Sequence, residues 1–160
     1  MLERLVSGGQ TGADRAALDV ALERGLPCGG WCPKGRRAED GPIPDRYPLG
    51  ETPSAEYPER TEWNVRDSDG TLALTLGRPR GGTAYTLMVA RELGKPHLHV
   101  DLSRAADPEA ARAWIADRRI RVLNVAGPRE SDSPGIHDAA ADFLRRLLDS
   151  LLEGSPLTGR

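Results

Sequence analysis

A glycine-rich stretch near the start of the chain constrains the fold more than any other feature. Residues 7–15 read Ser-Gly-Gly-Gln-Thr-Gly-Ala-Asp-Arg, directly after the apolar pair Leu5 and Val6 and before an alanine-rich helical pattern that runs to about Arg24. A strand, a glycine turn and a helix N-terminus build an anion site, because the first N–H groups of a helix have no intrahelical partner. Glycine also permits positive φ and a close approach of a ligand to the backbone. The stretch therefore predicts a pocket for a phosphate or a similar oxyanion.

Apolar runs and helical patterns alternate along the rest of the chain. Candidate strands lie at residues 2–6, 26–29, 71–76, 97–102 and 121–125, and candidate helices at 13–24, 58–66, 83–93, 108–117 and 135–152. Such alternation is typical of an α/β fold in which a mainly parallel sheet of about five strands is covered by helices on both faces.

Three loops that follow candidate strands are rich in glycine or small polar residues. They span residues 7–15, 77–83 and 126–133, and each ends at a helix N-terminus. Parallel sheets place ligands at the carboxyl ends of their strands, so three such loops on one edge favour a shared pocket. Within these loops the guanidinium groups of Arg78, Arg80 and Arg129 can form charge-assisted contacts with an oxyanion.

The long segment at residues 30–56 has no regular helical or strand pattern. Structureless loops of this length are uncommon in compact domains unless they act as lids or binding loops or are disordered. Its prolines and aromatic residues favour an ordered cover, and Lys34, Arg36, Arg37 and Arg46 would bring positive charge over the pocket. We expect a basic lid; the alternative is a plain surface excursion.

Composition excludes several classes of protein. The 160 residues include 22 basic and 24 acidic side chains, for a net charge of −2, which argues against a general nucleic-acid or membrane binder. No apolar run approaches the roughly 20 residues of a membrane span, and we expect no signal peptide because residues 1–4 run directly into the first strand. We expect one cytoplasmic domain over residues 1–152, followed by a C-terminal tail at 153–160.

No metal-binding pattern stands out in the sequence. Cys28 and Cys32 have the wrong spacing for a CxxC motif and stand alone, so ordinary thiols are expected. The acidic stretch at residues 67–70 precedes the third strand, which places it at the edge opposite the pocket, and it lacks the pattern of a calcium loop. It is interpreted as a turn.

The motifs do not assemble a convincing catalytic site. The opening stretch lacks the lysine and hydroxyl of a P-loop, and its glycines do not fit GxGxxG. The acid–base candidates are Asp14, Glu130 and His137. Asp14 could serve as a pocket carboxylate or could complete a capping box with Thr11.

Several motifs together resemble one known family. They are SGGQTGADR at residues 7–15, GWCPKGRRAEDG at 30–41, RTEWNV at 60–65, SDGTL at 68–72, GGT at 81–83 and AGPRES at 126–131. This combination, which covers residues 2–148, resembles the putative molybdenum carrier family. That family is also described as a circularly permuted YpsA-like branch of the SLOG superfamily, which contains DprA and the LOG proteins.

The resemblance implies a Rossmann-like three-layer α/β/α sandwich and a nucleotide-like or phosphate-bearing ligand. In distant relatives of LOG-like fold the cargo is a pterin cofactor that bears molybdenum. The permutation implies that the final strand lies beside the first, which would bring residues 127–131 next to 8–12. LOG-type hydrolases carry a Pro-Gly-Gly-x-Gly-Thr segment followed by a catalytic glutamate; residues 80–86 lack the second half and the glutamate, so that hydrolysis does not carry over.

We therefore expect a binding or carrier protein for a nucleotide-like phosphorylated ligand, with a molybdenum cofactor or a nucleotide as the candidate cargo. The alternative is a hydrolase that acts on a nucleotide or an NAD-derived substrate. A small molecule is the expected partner. The oligomeric state is left open, with a homo-oligomer as one alternative because dimers are the default for related folds. The residues expected to contact the ligand are Ser7, Gly8, Gly9, Gln10, Thr11, Gly12, Ala13, Asp14, Lys34, Arg36, Arg37, Arg80, Gly81, Gly82, Thr83, Gly127, Pro128, Arg129, Glu130 and Ser131.

Overall fold

Strands and helices alternate along the computed structural model, which describes residues 1–153. In chain order these elements are β1 Arg4–Val6, α1 Ala13–Arg24, β2 Cys28–Gly29, β3 Trp31–Cys32, β4 Arg37–Ala38, β5 Gly41–Pro42, β6 Gly50–Glu51, α2 Tyr57–Arg66, β7 Gly70–Thr75, α3 Gly81–Glu92, β8 His97–Asp101, α4 Pro108–Asp117, β9 Val122–Ala126 and α5 Ile136–Glu153. Of the predicted tail, residue 153 ends α5 and the remainder lies outside the described residues.

A five-stranded parallel sheet forms the centre of the molecule, in the order β2-β1-β9-β7-β8. The last strand, β9, lies between β1 and β7, with Leu5 opposite Leu123 on one side and Thr71 opposite Asn124 on the other. Every residue of β7 is buried, as expected for a strand covered on both faces. The predicted α/β fold is confirmed, and β9 occupies the position beside β1 that the permutation implied.

The helices form two groups around this sheet. Helices α1, α4 and α5 pack together, and α2 packs on α3, so the sheet lies between two helical layers. Local sequence explains several helix ends: α1 stops at Gly25, which adopts the left-handed conformation that favours glycine, and the Asp107 side chain caps α4 by accepting from the Glu109 N–H at 2.9 Å. No helix within residues 1–153 is both long and apolar enough to cross a membrane.

The segment at residues 30–56 has a small core of its own. Its two-residue strands pair as β3 with β6 and β4 with β5, and Cys32, Ile43 and Tyr47 are buried against Leu18 of α1. The Arg36 guanidinium donates to four carbonyl oxygens, those of Ile43 at 2.9 Å, Pro44 at 2.8 Å, Tyr47 at 2.8 Å and Leu49 at 3.3 Å. These bonds tie the turns of the segment together.

The turn before β7 and the two cysteines have the structural roles expected for them. Asp69 accepts hydrogen bonds from the N–H groups of Arg121 and Val122 at 3.0 and 2.8 Å, so the turn fixes the start of β9. Cys28 is half-buried and Cys32 is buried, and both are free thiols.

Candidate functional site

A cavity of about 760 Å³ opens at the carboxyl edge of the sheet. Its walls come from the loops after β1, β7 and β9, the first turn of α3 and one side of α2. Parallel sheets place ligands at this edge, and the volume is in the range of small-molecule and cofactor sites.

The start of α3 offers hydrogen-bond donors that the protein itself does not use. The N–H groups of Gly81 and Gly82 make no hydrogen bond within residues 1–153, and a Cβ built on either glycine would meet no atom within 4 Å. Thr83 is only 4% exposed, and its Oγ1 is the one buried side-chain N or O atom without a partner in the described part of the chain. Because a buried hydroxyl is normally paired, this end of the cavity is suited to an oxyanion.

Arginine supplies the positive charge of the cavity. Four arginines line it: Arg60, Arg78, Arg80 and Arg129. The acidic residues in the lining are two, Asp14 and Asp132. Arg129 lies 3.0 Å from Asp132, and Arg60 lies 3.2 Å from Asp14. Arg78 and Arg80 form no ion pair with the described residues, so the cavity keeps an excess of positive charge for an anionic ligand.

Asp14 lines the cavity as an ion-paired carboxylate. Its Oδ2 accepts from the Gln10 N–H at 3.3 Å and lies 3.2 Å from Arg60 Nη1. Burial raises the pKa of Asp14, while Arg60 and the Gln10 amide oppose that rise. The alternative, a capping box with Thr11, is wrong because Gly12 is the N-cap of α1 and no side chain caps the helix.

Arg60 is a cavity residue that no sequence motif singled out as a ligand contact. A Cβ on Gly8 would overlap its Nη1, so the guanidinium lies directly against the first glycine of the opening loop. A signal was available: Arg60 begins the RTEWNV motif at residues 60–65, and Thr61 and Asn64 of the same motif are polar residues that α2 buries. Polar residues are seldom buried on a helix without a partner or a function.

The two glycine loops at opposite ends of the chain pack directly on each other. A Cβ on Gly12 would overlap the carbonyl oxygen of Pro128, and the Ala13 N–H donates to that same oxygen at 3.3 Å. The Glu39 carboxylate joins them further, since it accepts from the hydroxyls of Thr11 and Ser131. Gly12 therefore allows the two loops to pack on each other, because a side chain at this position would overlap the Pro128 backbone.

The structure divides the residues expected to contact a ligand into two sets. Those that line the cavity are Gly8, Gln10, Asp14, Arg80, Gly81, Gly82, Thr83, Gly127, Pro128 and Arg129. Those that do not are Ser7, Gly9, Thr11, Gly12, Ala13, Lys34, Arg36, Arg37, Glu130 and Ser131.

None of the cations of the long segment lines the cavity. Arg36 is bound to carbonyl oxygens inside the segment, as described above. The guanidinium carbon of Arg37 lies 4.7 Å from the ring centroid of Tyr57, and that of Arg46 lies 4.6 Å from the ring of Tyr47. None of these three arginines lines the cavity, although Tyr57, which Arg37 contacts, does, so a basic lid over the cavity stays a prediction.

Glu130 and His137 lie outside the cavity. Glu130 caps α5, accepting from the N–H groups of Gly135 at 2.6 Å and His137 at 3.0 Å. The ring of His137 contacts Asp19 at 2.8 Å and Asp138 at 3.2 Å. Burial opposes its charged form, but these two carboxylates raise the pKa of His137. Of the three acid–base candidates, the cavity therefore contains Asp14 alone.

The donor groups of the cavity suit an anion rather than a bare metal ion. Within residues 1–153, no group of three or more His, Cys, Asp or Glu side chains is placed to hold a metal ion. The cavity presents amide N–H, hydroxyl and guanidinium groups, which bind phosphates and other oxyanions.

Fold and cavity together define a Rossmann-like α/β domain with a cavity at the carboxyl edge of its sheet. The chain belongs to the circularly permutated YpsA SLOG family, whose model matches residues 5–148. It is similar to a protein of known crystal structure from Syntrophus aciditrophicus SB, named a putative molybdenum carrier protein. The two chains are 48% identical with a TM-score of 0.88 over 92% of this chain and 95% of the other. No curated protein matches the chain. The family and the relative support a ligand-binding role.

Proposed function

We propose that this protein binds and carries a nucleotide-like, phosphorylated small molecule in the cavity. The start of α3 carries the proposal, because the unpaired amides of Gly81 and Gly82 and the unpaired hydroxyl of Thr83 lie beside Arg78 and Arg80. Leaving a buried hydroxyl unpaired costs about 1–3 kcal/mol, and a bound phosphate oxygen would remove that cost.

A molybdopterin-type cofactor is the cargo that we propose within this class. The support is the relative named a putative molybdenum carrier protein, which is 48% identical to this chain. Such a cargo would be held through its phosphate, at Gly81–Thr83 and the two neighbouring arginines, and its metal would need no direct protein ligand. The cytoplasmic location and a homo-oligomeric state stay predictions.

Binding to wild type and to two variants at the start of α3, Arg80→Ala and Thr83→Val, tests the proposal. Thermal shift and calorimetry would use inorganic phosphate, molybdate, AMP, ADP and a molybdopterin-type cofactor, since a ligand specific for the native state stabilises it with rising concentration. We expect Arg80→Ala to weaken binding roughly tenfold, through the loss of a charge-assisted contact. Arg91→Ala is the matched control, because Arg91 lies in the last turn of α3 and does not line the cavity.

Thr83→Val distinguishes a lost ligand contact from a loss of folding. Removing an unpaired buried hydroxyl should leave the free energy of unfolding unchanged or raised, while the affinity for the ligand falls. The proposal fails if no probe stabilises the wild type, or if both cavity variants bind as the wild type does.

One observation favours a second candidate, a hydrolase of nucleotides or NAD-derived substrates. Asp14 is a buried carboxylate with a raised pKa at the cavity wall, a combination that clusters at functional sites. Incubation with a nucleotide and NAD-derivative panel, analysed by chromatography, separates the two functions. Turnover that is lost in Asp14→Asn would favour the hydrolase, and binding without turnover the carrier.

A further inference from the structure

We propose that Arg60 is a ligand-binding residue that contacts an anionic group of the ligand, and that Asp14 and Gly8 hold its guanidinium in the cavity wall. The inference rests on the proposed function and extends it. It adds, at the carboxyl end of β1, a second position for an oxyanion beyond the one at the start of α3.

The guanidinium of Arg60 is fixed from three directions. Its Nη1 lies 3.2 Å from Asp14 Oδ2, its Nε donates to the Tyr57 carbonyl oxygen at 3.3 Å, and its carbon lies 5.2 Å from the centroid of the Tyr57 ring. Its Nη2 has no partner within residues 1–153. Because the Arg60 side chain is only 13% exposed, an anion at Nη2 would interact with it under weak solvent screening.

Gly8 and Gln10 complete this position. Gly8 has no Cβ to displace the guanidinium, which rests where that atom would lie. Gln10 is 6% exposed, and its Oε1 accepts from the N–H groups of Thr11 and Glu39 at 3.0 and 2.9 Å. Its amide nitrogen is left without a partner among the described residues, and Gln10 lines the cavity together with Arg60.

The donors at this position define the chemical class of the group that binds there. A planar guanidinium nitrogen beside a neutral amide suits an oxyanion such as a phosphate, a carboxylate or an oxometalate. The competing explanation is that Arg60 serves only to neutralise the buried carboxylate of Asp14. The two explanations predict different behaviour when both charges of the pair are removed.

The experiment measures the affinity for inorganic pyrophosphate and for molybdate by calorimetry, together with the urea midpoint of each protein. The variants are Arg60→Met and the double variant Asp14→Asn with Arg60→Met, which leaves no unpaired charge. Arg66→Met is the matched control: Arg66 is on the same helix, pairs with Asp67 at 2.8 Å and lies 4.7 Å from the Trp63 ring, but does not line the cavity.

We expect Arg60→Met to bind these anions roughly 10- to 100-fold more weakly, the effect of one lost charge-assisted hydrogen bond. The double variant should regain the urea midpoint without regaining affinity, and Arg66→Met should bind as the wild type does. Should Arg60→Met itself not fold, the double variant supplies the affinity measurement.

Three outcomes would overturn the proposal. If Arg60→Met binds the anions as tightly as the wild type does while Arg80→Ala binds them more weakly, Arg60 does not contact the ligand. The proposed function is then unaffected. If the double variant regains the wild-type affinity, Arg60 serves only to neutralise the charge of Asp14. A wild type that binds neither these anions nor the phosphorylated probes overturns both proposals.

Discussion

Gly8 and Gly12 belong to one loop, but different kinds of atoms exclude a side chain at each position. At Gly8 the obstacle is the far end of the Arg60 side chain, which can move, whereas at Gly12 it is the backbone carbonyl of Pro128. Gly12 also has φ of 82°, where residues with a Cβ are strained. An alanine at Gly8 would thus displace a cavity side chain, and one at Gly12 would separate two loops.

The contact of His137 with two carboxylates predicts a pH-dependent contribution to stability. Because its folded pKa is raised above the ordinary 6.5, this contribution is complete below about pH 6.5 and is lost as the pH rises through the folded pKa. His137→Gln should therefore lower the free energy of unfolding more at pH 5.5 than at pH 8.5. The ring is about one third exposed, so the difference should stay below about 1 kcal/mol.

Urea unfolding of wild type and His137→Gln at the two pH values measures this difference. His97→Gln is the control, since His97 is exposed on the edge strand β8 and contacts the carbonyl oxygen of Lys95. An equal cost of His137→Gln at both pH values would show that the ring acts through packing alone.

At the scale of the element, Arg36 holds the turns of the segment at residues 30–56 together through hydrogen bonds. Arg36→Met removes hydrogen bonds to four carbonyl oxygens, and we expect a loss of about 2–3 kcal/mol in the free energy of unfolding. Amide exchange should rise across residues 41–51 and stay unchanged in β7.

Arg37→Met is the matched control, because the neighbouring Arg37 is exposed and donates to one carbonyl oxygen, that of Ala55. Arg37 also lies 3.8 Å from Glu56 and contacts the Tyr57 ring, but these are contacts of an exposed side chain, so Arg37→Met should lower the free energy of unfolding by at most about 1 kcal/mol. Equal costs for the two variants, or exchange that rises in β7 as strongly as in the segment, would contradict a local role for Arg36.

The elements that sequence predicted well are those whose signals are local. Apolar periodicity, Gly25 after α1 and Pro108 at the start of α4 act within a few residues, so helices at 13–24 and 108–117 were predicted with the observed bounds. The partners of arginine side chains are not local. Arg36 and Arg60 reach atoms that only the tertiary fold brings near, so one was predicted as a lid cation and the other as no site residue.

At the scale of the whole molecule, the strand order predicts a circular permutant that keeps every strand pair. Helix α5 follows β9 and returns to the amino edge of the sheet, where the neighbouring parallel strand β1 begins. A Gly/Ser linker can therefore join the end of α5 to the start of β1, and new ends can be opened between the exposed residues Arg104 and Ala105.

We expect this permutant to retain the circular dichroism spectrum, the ligand affinity and a Tm within a few degrees of the wild type. The control opens the chain between Gly127 and Pro128, where the two glycine loops pack on each other and line the cavity. A control that is as stable and binds as well as the first permutant would contradict the importance of that contact.

The position of β9 also has a consequence for the order of events during synthesis. β1 and β2 leave the ribosome first, β7 and β8 follow, and each pair alone is a two-stranded parallel ribbon of marginal stability. Only β9, the last of the five strands of this sheet to be made, joins the two pairs and brings residues 124–129, 132 and 133 to the cavity wall. A nascent chain shorter than this lacks part of the cavity wall, so we expect binding of the proposed ligand only after translation has passed residue 133.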